Sequence, residues 1–300
     1  MSKIIIIDGN NYCYRAYHAM KNMKSKDGKP SSIVYGVPLM ISTLLKKHEP
    51  SLVYLVIDGG RSPHRLSVLP GYKAGRKKIG WDGEDFHSQK DVMMDLVHNG
   101  LGITVIRNLD QEADDIMYKL VRKHKGEEIL LCSADKDFVQ LIDENVSIWN
   151  HNLNQRQGVI LTLENTKEWM GYTPDRCVDY LTFIGDSSDK IPGVRGVGEQ
   201  GAADFIKKYP SIKEYLKNYP VDNKFNKAKL EEVYRVSRFM IDLRYFHRKH
   251  LRRVGIHQAF KEDSKIDYKV IKNIAIDYGL NQFRMPNFIK PFKQYQDAET

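Results

Sequence analysis

The sequence predicts an α/β protein: a parallel sheet flanked by helices in the first half, and a mostly helical second half. Three observations predict it. Short β-branched runs alternate with amphipathic helical patterns over about residues 1–160. Those runs are apolar for four to six consecutive residues, the pattern of strands covered on both faces. Further on, helical patterns and short Gly/Pro breaks dominate, and strand-like runs become few.

The first strand is residues 4–7, four isoleucines closed by Asp8. That run is too short for a signal-peptide apolar region. A helical pattern follows at 37–47, then a second strand at 52–57, reading LVYLVI. Residues 86–99 suit a helix and 103–106 a third strand. The helix expected at 113–123 sets Ala113, Ile116, Met117, Leu120 and Val121 on one stripe. Residues 129–132 are the fourth strand. In the second half, 174–184, 199–209, 226–243 and 266–278 read as helices, and the C-terminal end is expected to fray. The chain divides into an α/β domain at 1–165 and a helical region at 166–300.

Composition narrows the class. Hydrophobic residues at 41% and charged residues at 28% are ordinary for a globular chain, which excludes wholesale disorder. The 47 Lys and Arg against 38 Asp and Glu give +9, a balance suited to a polyanionic partner, nucleic acid or an acidic membrane surface. Cys13, Cys132 and Cys177 lie far apart, which argues against a disulfide framework and against cysteine-ligated zinc. No run approaches the ~20 apolar residues that span a bilayer. A soluble cytoplasmic protein is expected.

The placement of the acids is the sharpest feature. Asp8 ends the first strand, Asp58 ends the second, and Asp135 and Asp137 follow the fourth. Open parallel sheets bind ligands beyond the carboxyl ends of their strands, so these acids are expected to converge at one edge. Glu112, Asp114 and Asp115 open a helix, and Glu112 and Asp115 share a face at a spacing of three. Asp186 and Asp189 repeat that spacing in GDSSDK. Nine carboxylates cannot gather unaided, because repulsion would force some to protonate. Hard divalent cations relieve the repulsion; Mg²⁺ prefers oxygen ligands and also binds phosphate. Two such ions about 4 Å apart can hold the attacking and leaving oxygens of a phosphodiester. Singly, an Asp after a strand is ordinarily a turn former or helix cap, and acids in a first helical turn ordinarily answer the helix dipole. The joint arrangement is what those ordinary roles explain poorly.

Residues 193–201 read GVRGVGEQG, in which Gly196, Gly198 and Gly201 match GxGxxG. No strand precedes the match, and no acid-ended strand follows about 20 residues on, so a dinucleotide site is disfavoured. A glycine turn opening a helix offers backbone N–H groups to phosphate, as in a helix–turn–helix gripping a nucleic-acid backbone; a plain tight hairpin is the alternative. Segment 61–80 holds Arg61, Arg65, Lys73, Arg76, Lys77 and Lys78 with no acid, and is expected to rise from the second strand's carboxyl edge. Tyr72, set among these cations, would suit stacking on a base. A second basic run, RYFHRKHLRR at 244–253, reads by default as a solvated face. The histidines show no paired ligand spacing.

With these motifs, the chain resembles the 5′ nucleases: flap endonucleases, phage 5′–3′ exonucleases and the 5′-nuclease domain of bacterial DNA polymerase I. The resemblance rests on IIIIDGNN (4–11), VIDGG (56–60), RLSVLPGYKAGR (65–76), QEADDI (111–116), SADKDFVQLI (133–142) and FIGDSSDKIPGVRGVGEQGA (183–202). It implies a PIN-like α/β core, a helical arch at about 63–90 and a helix–three-turn–helix at about 184–207. It implies a first metal cluster of Asp8, Asp58, Glu112, Asp114 and Asp115, and a second of Asp135, Asp137, Asp186 and Asp189. Lys73 and Arg76 would act on the scissile phosphate. Arg65, Tyr72, Lys77, Lys78, Gly193, Arg195, Gly196, Gly198 and Gln200 would touch nucleic acid. The implied cofactors are two or more Mg²⁺, with Mn²⁺ as a substitute, and K⁺ on the carbonyls of the glycine turn. The implied partners are DNA with a 5′ flap, nick or free 5′ end and RNA·DNA hybrid, acted on by a monomer, with single-strand-binding protein or a polymerase as companions. The implied location is the bacterial cytoplasm, or the host cytoplasm for a phage protein.

One stretch departs from the pattern. Relatives often read GVGEKTA where this chain has GVGEQGA at 196–202, so Gln200 and Gly201 stand in place of a Lys and a Thr. Arg195 is expected to supply the missing cation. The other readings are a non-catalytic DNA-binding protein on the same fold, which gains nothing from nine acids beside phosphate, and a PIN-type RNA endonuclease, which the arch and glycine turn disfavour.

Overall fold

The computed structural model describes residues 3–74, 83–220, 225–256 and 265–299. In chain order the regular elements open with β1 (Lys3–Asp8), α1 (Gly9–Ala19), α2 (Ser32–His48), β2 (Leu52–Val56), α3 (Pro63–Val68) and α4 (Gly83–Asp95). They continue with β3 (Thr104–Ile106), α5 (Ala113–Lys123), β4 (Glu128–Cys132), β5 (Val146–Asn150), β6 (Val159–Leu161), α6 (Thr166–Met170) and α7 (Cys177–Ile184). The rest is helical: α8 (Glu199–Lys208), α9 (Ile212–Lys217), α10 (Lys227–Met240), α11 (Leu243–Phe246), α12 (Tyr268–Asp277) and α13 (Pro286–Glu299). Internal contacts separate two units. One holds 1–59, 77–133 and 256–300; the other holds 60–76 and 134–255.

In the first unit the strands run β3-β2-β1-β4, all parallel. Ile4 to Ile7 are each at most 1% exposed, which is why β1 is apolar throughout rather than alternating. Its register sets Asp8 beside Val56, so Asp8 and Asp58 leave neighbouring strands at the same edge. A helix not foreseen from the sequence, α1, starts directly after β1. Asp8 caps it by accepting from the Asn11 amide at 2.9 Å, and Tyr12, Cys13 and Ala16 form its buried side. The expected fraying at the C-terminus is overturned: α13 buries Phe288, Ile289, Phe292 and Tyr295. The Tyr295 hydroxyl accepts from the Val53 amide at 3.2 Å.

The second unit adds an antiparallel pair to the parallel strands. β5 and β6 pair antiparallel, so the chain's strands form a mixed set. This hairpin was hidden because β5 is only half-covered and β6 is three residues long. Around α7 to α10 an aromatic core gathers Phe183, Phe205, Tyr215, Ile212 and Leu230, all nearly fully buried. Phe183 and Phe205 lie 4.4 Å apart between ring centres. Among the described residues, no helix is long and apolar enough to cross a membrane.

Candidate active site

In the first unit, five of the predicted acids sit at strand ends and the start of α5. The Asp8 carboxylate is held at both oxygens: Oδ1 by the Asn11 amide, and Oδ2 by the Ser133 hydroxyl at 2.8 Å. Asp58 is held in the same manner. Its Oδ1 accepts from the Ala113 amide at 2.6 Å, and its Oδ2 from the Asn10 side chain. Ala113 is the first residue of α5, so Asp58 answers the positive end of that helix while meeting the chain next to Glu112. The meeting needs Gly59: a β-carbon there would collide with the Asn108 carbonyl, and the Gly59 amide donates to the Gln111 carbonyl at 2.9 Å. Glu112 and Asp115 are 1% and 2% exposed, too buried for solvated charges at a helix start. Asp114 is half-buried.

The four acids of the second unit are arranged differently. Asp135 accepts from the Asp137 amide at 2.9 Å, and Asp186 from the amides of Ser188 and Asp189 at 2.8 and 3.2 Å. These are turn-type bonds within the acids' own loops. Lys136 stands 3.7 Å from Asp186. Loss of hydration raises the Asp135 carboxyl above its ordinary range, and the charge of Asp189 adds to this against the pull of Lys73 and Lys136. Asp137 is pushed up well above the usual range, first by burial and then by the charge of Asp135. Asp186 lies below its ordinary value. Burial alone would raise it, but the Ser188 hydroxyl and Lys136 outweigh that effect.

Lys73 is tied to this second set. Its amide donates to the Asp189 carbonyl at 3.1 Å, and its backbone is left-handed at φ 54°. Lys190, directly after Asp189, is also left-handed at φ 64°. Two left-handed non-glycine residues, one at the donor of this bond and one directly after its acceptor, mark a place where geometry is held against cost. Arg76, Lys77 and Lys78 lie outside the described residues.

Two predicted nucleic-acid contacts are corrected. Arg65 is 1% exposed, with its guanidinium 4.1 Å over the Phe246 ring, so it serves packing at the base of the segment. Tyr72 is 3% exposed and carries the Lys73 ammonium at 4.9 Å, so its ring is not open to a base. The resemblance supplied Arg65, and the cations on either side of Tyr72 suggested stacking; neither signal reports burial. Gly193 has a packing role as well: a β-carbon there would stand 2.6 Å from the Phe183 carbonyl. Arg195, Gly196, Gly198 and Gln200 are exposed around the start of α8, where Gly198 is the N-cap and no side chain caps the helix. Arg195, Gly196 and Gly198 line a groove of about 490 Å³ with Lys208, Tyr209 and Phe225. Gln200 donates to Asp204 at 2.9 Å.

Among the described residues, no three His, Cys, Asp or Glu side chains stand close enough together to hold a metal ion. Asp8, Asp58, Asp135 and Asp186 turn oxygens to backbone and side-chain N–H and O–H donors. Sequence reasoning missed three of those donors: Asn10, Ser133 and the Ala113 amide. The signal for Ser133 was its place directly after a strand, the same position that singled out Asp8 and Asp58.

Residues 3–171 match the family model described as 5'-3' exonuclease, N-terminal resolvase-like domain, and residues 172–250 match 5'-3' exonuclease, C-terminal SAM fold. A 5'-3' exonuclease of Aquifex aeolicus is 30% identical over 249 residues, spanning 81% of this chain and 83% of that protein. One from Buchnera aphidicola is 32% identical over 246 residues, spanning 79% and 83%. The bacteriophage T5 flap endonuclease, solved as a pseudo-enzyme-product complex with DNA and metal ions, superposes with a TM-score of 0.68 at 18% identity over 97% of this chain and 99% of its own. At that identity the likeness is one of fold. Profile, relatives and fold agree, and the chain belongs to the 5'-3' exonuclease family.

Proposed function

We propose that this protein is a divalent-metal-dependent, structure-specific 5′ nuclease. It acts as a 5′–3′ exonuclease and flap endonuclease, and removes RNA from RNA·DNA hybrid. The observation that carries the reading is the pair of carboxylate sets within a chain of this family, one at the strand ends of the first unit and one in the turns of the second. Their donors are all oxygens, with no histidine or cysteine, which suits Mg²⁺ or Mn²⁺. The raised Asp137 supports the same fit: its charge lacks compensation that a cation would supply.

Asp8, Asp58, Glu112, Asp114 and Asp115 would close on one cation, and Asp135, Asp137, Asp186 and Asp189 on another, each set drawing in from the wider spacing it has without the ion. When bound, such ions activate water for in-line attack and stabilise the leaving oxygen. The protein's own groups do the rest. The Asn10, Asn11, Ser133 and Ala113 donors fix Asp8 and Asp58, so their oxygens need no reorganisation as the substrate arrives. Lys73 and Arg76 would bring positive charge to the scissile phosphate. The exposed amides at the start of α8, with Arg195, would grip a duplex backbone, and the carbonyls of that turn would take K⁺. None of these groups reads a base edge, so specificity is for structure: a 5′ flap, a nick or a free 5′ end.

The test uses end-labelled 5′-flap, nicked duplex, RNA·DNA hybrid and single-stranded RNA, each with Mg²⁺ or with EDTA. Metal-dependent cutting at the flap junction and of the hybrid is expected. Cutting of none of the DNA-containing substrates would falsify the reading and favour a DNA-binding protein without catalysis.

A further inference from the structure

The basic run at 244–253 has no part in the proposed chemistry, and its structure differs from an ordinary solvated face. It begins as α11, capped by Asp242, and continues through one wider turn to Leu251. Leu243, Phe246 and Leu251 are buried, and Phe246 packs on Phe239, on His250 and under Arg65. The other side presents Arg244, Arg248, Lys249, Arg252 and Arg253, all exposed. From 243 to 256 there is no Asp or Glu, whereas α10 interleaves Glu231 and Glu232 with its cations. Among the described residues, none of the five exposed cations has a carboxylate within ion-pair distance. Asp242 at the start of the run is taken by Arg238 at 3.6 Å.

Such a run repels itself, and a polyanion relieves that repulsion. The Tyr245 ring is occupied by cations: Arg238 at 4.3 Å, Arg248 at 5.9 Å and Lys249 at 6.0 Å. The surface therefore offers charge rather than a stacking face, which suits phosphates and not bases. It also lacks the exposed apolar side of a membrane-surface helix: Leu243, Phe246 and Leu251 are buried, Tyr245 is half-buried, and Val254, just past the run, is the exposed large apolar residue among the described ones nearby. His64 on α3 stacks 4.6 Å from His250, so the face is fastened to the helix that leads to Lys73.

We propose that residues 244–253 form a second, sequence-independent contact for the phosphate backbone of the substrate, separate from the glycine turn. The inference rests on the nuclease reading only for the identity of its polyanion. The full-length protein would be titrated in EDTA onto a labelled 5′-flap duplex, a flapless duplex and a single strand, across about 50–200 mM KCl. The combined variant Arg248→Ala, Lys249→Ala, Arg252→Ala and Arg253→Ala is expected to bind at least tenfold more weakly. Its log K against log salt slope should be shallower by up to about 3.6, at about 0.9 for each of four lost phosphate contacts on duplex. A version with Arg248, Arg252 and Arg253 each changed to Lys should keep the wild-type slope, because charge and not shape carries the contact. Should the combined variant fold poorly by circular dichroism, Arg252→Glu with Arg253→Glu, outside the helical turns, must still flatten the slope. An unchanged slope and affinity in the folded variants would overturn the proposal. So would loss of binding to phosphatidylserine vesicles with DNA binding intact. Wild-type cleavage with Mg²⁺ is read separately: an uncut flap with a flattened slope defeats the nuclease reading and leaves this one standing.

Discussion

The two carboxylate sets hold their charge by different means. In the first unit, Asp8 and Asp58 project from the ends of paired strands and are held by donors distant in sequence: Asp8 by Ser133, besides its own local Asn11 cap, and Asp58 at both oxygens by Asn10 and the Ala113 amide. In the second, Asp135 and Asp186 bond within their own turns, and Asp137 is left against Asp135 with burial working against its charge. The first set is built into the sheet and contributes to folding as it stands. The second is stabilised by lysines, Lys136 near Asp186 and Lys73 acting on Asp135, and has charge to spare. One set is preorganised by structure; the other is poised for a cation.

Substitutions should separate the two by sign. The largest effect is expected from Asp58→Ala. It should reduce Mg²⁺-dependent flap cleavage by about three orders of magnitude, since the cation's charge stabilisation is worth several kcal/mol. It should also lower the melting temperature, because the Ala113 amide and the Asn10 side chain lose their acceptor, at about 1–3 kcal/mol each if buried. Next is Lys73→Ala, expected to reduce cleavage by about a hundredfold in single-turnover kinetics while flap affinity changes little. For Asp137→Asn the expected effect is on stability: in EDTA it should raise the melting temperature by about 2–4 °C, opposite in sign to Asp58→Ala. A folded pKa above the unfolded one means that the stabilising contribution is present at low pH and lost as pH rises through the folded value, so at neutral pH this charge costs stability. If Asp137→Asn melts lower in EDTA, the contrast between the sets is broken.

The smallest effect concerns His250. Burial lowers its pKa first, followed by His64, Lys249 and Arg65. A lowered folded pKa makes stability fall as pH drops through the ordinary value near 6.5. His250→Gln should flatten part of the fall in melting temperature between about pH 7 and 5.5, leaving the shares of His48 and His87, which burial also lowers.

Much of this was legible in the sequence, for physical reasons that also explain the rest. Strands covered on both faces need unbroken apolar runs, so β1, β2 and β4 stood out, and α5 declared itself by its stripe. The strand-end rule then picked out Asp8 and Asp58. It did not foresee that these acids would cap α1 and meet the start of α5, the ordinary roles set against a metal site; the structure gives them those bonds while the metal reading stands as proposed. Burial at Arg65 and Tyr72 was not legible, because a cation-rich stretch looks solvated whether or not Phe246 waits beneath it. The β5–β6 hairpin and α13 were missed because their partners are distant in sequence: Tyr295 meets Val53 across most of the chain.

The most direct test of the central claim, that the two sets hold divalent cations independently, is a Mn²⁺ titration of the full-length protein by electron paramagnetic resonance. Wild type, Asp58→Asn and Asp137→Asn would be compared without DNA. Wild type should bind Mn²⁺, and each variant should lose only part of that binding while keeping the remainder. Binding that is absent from wild type, or untouched in both variants, would contradict it.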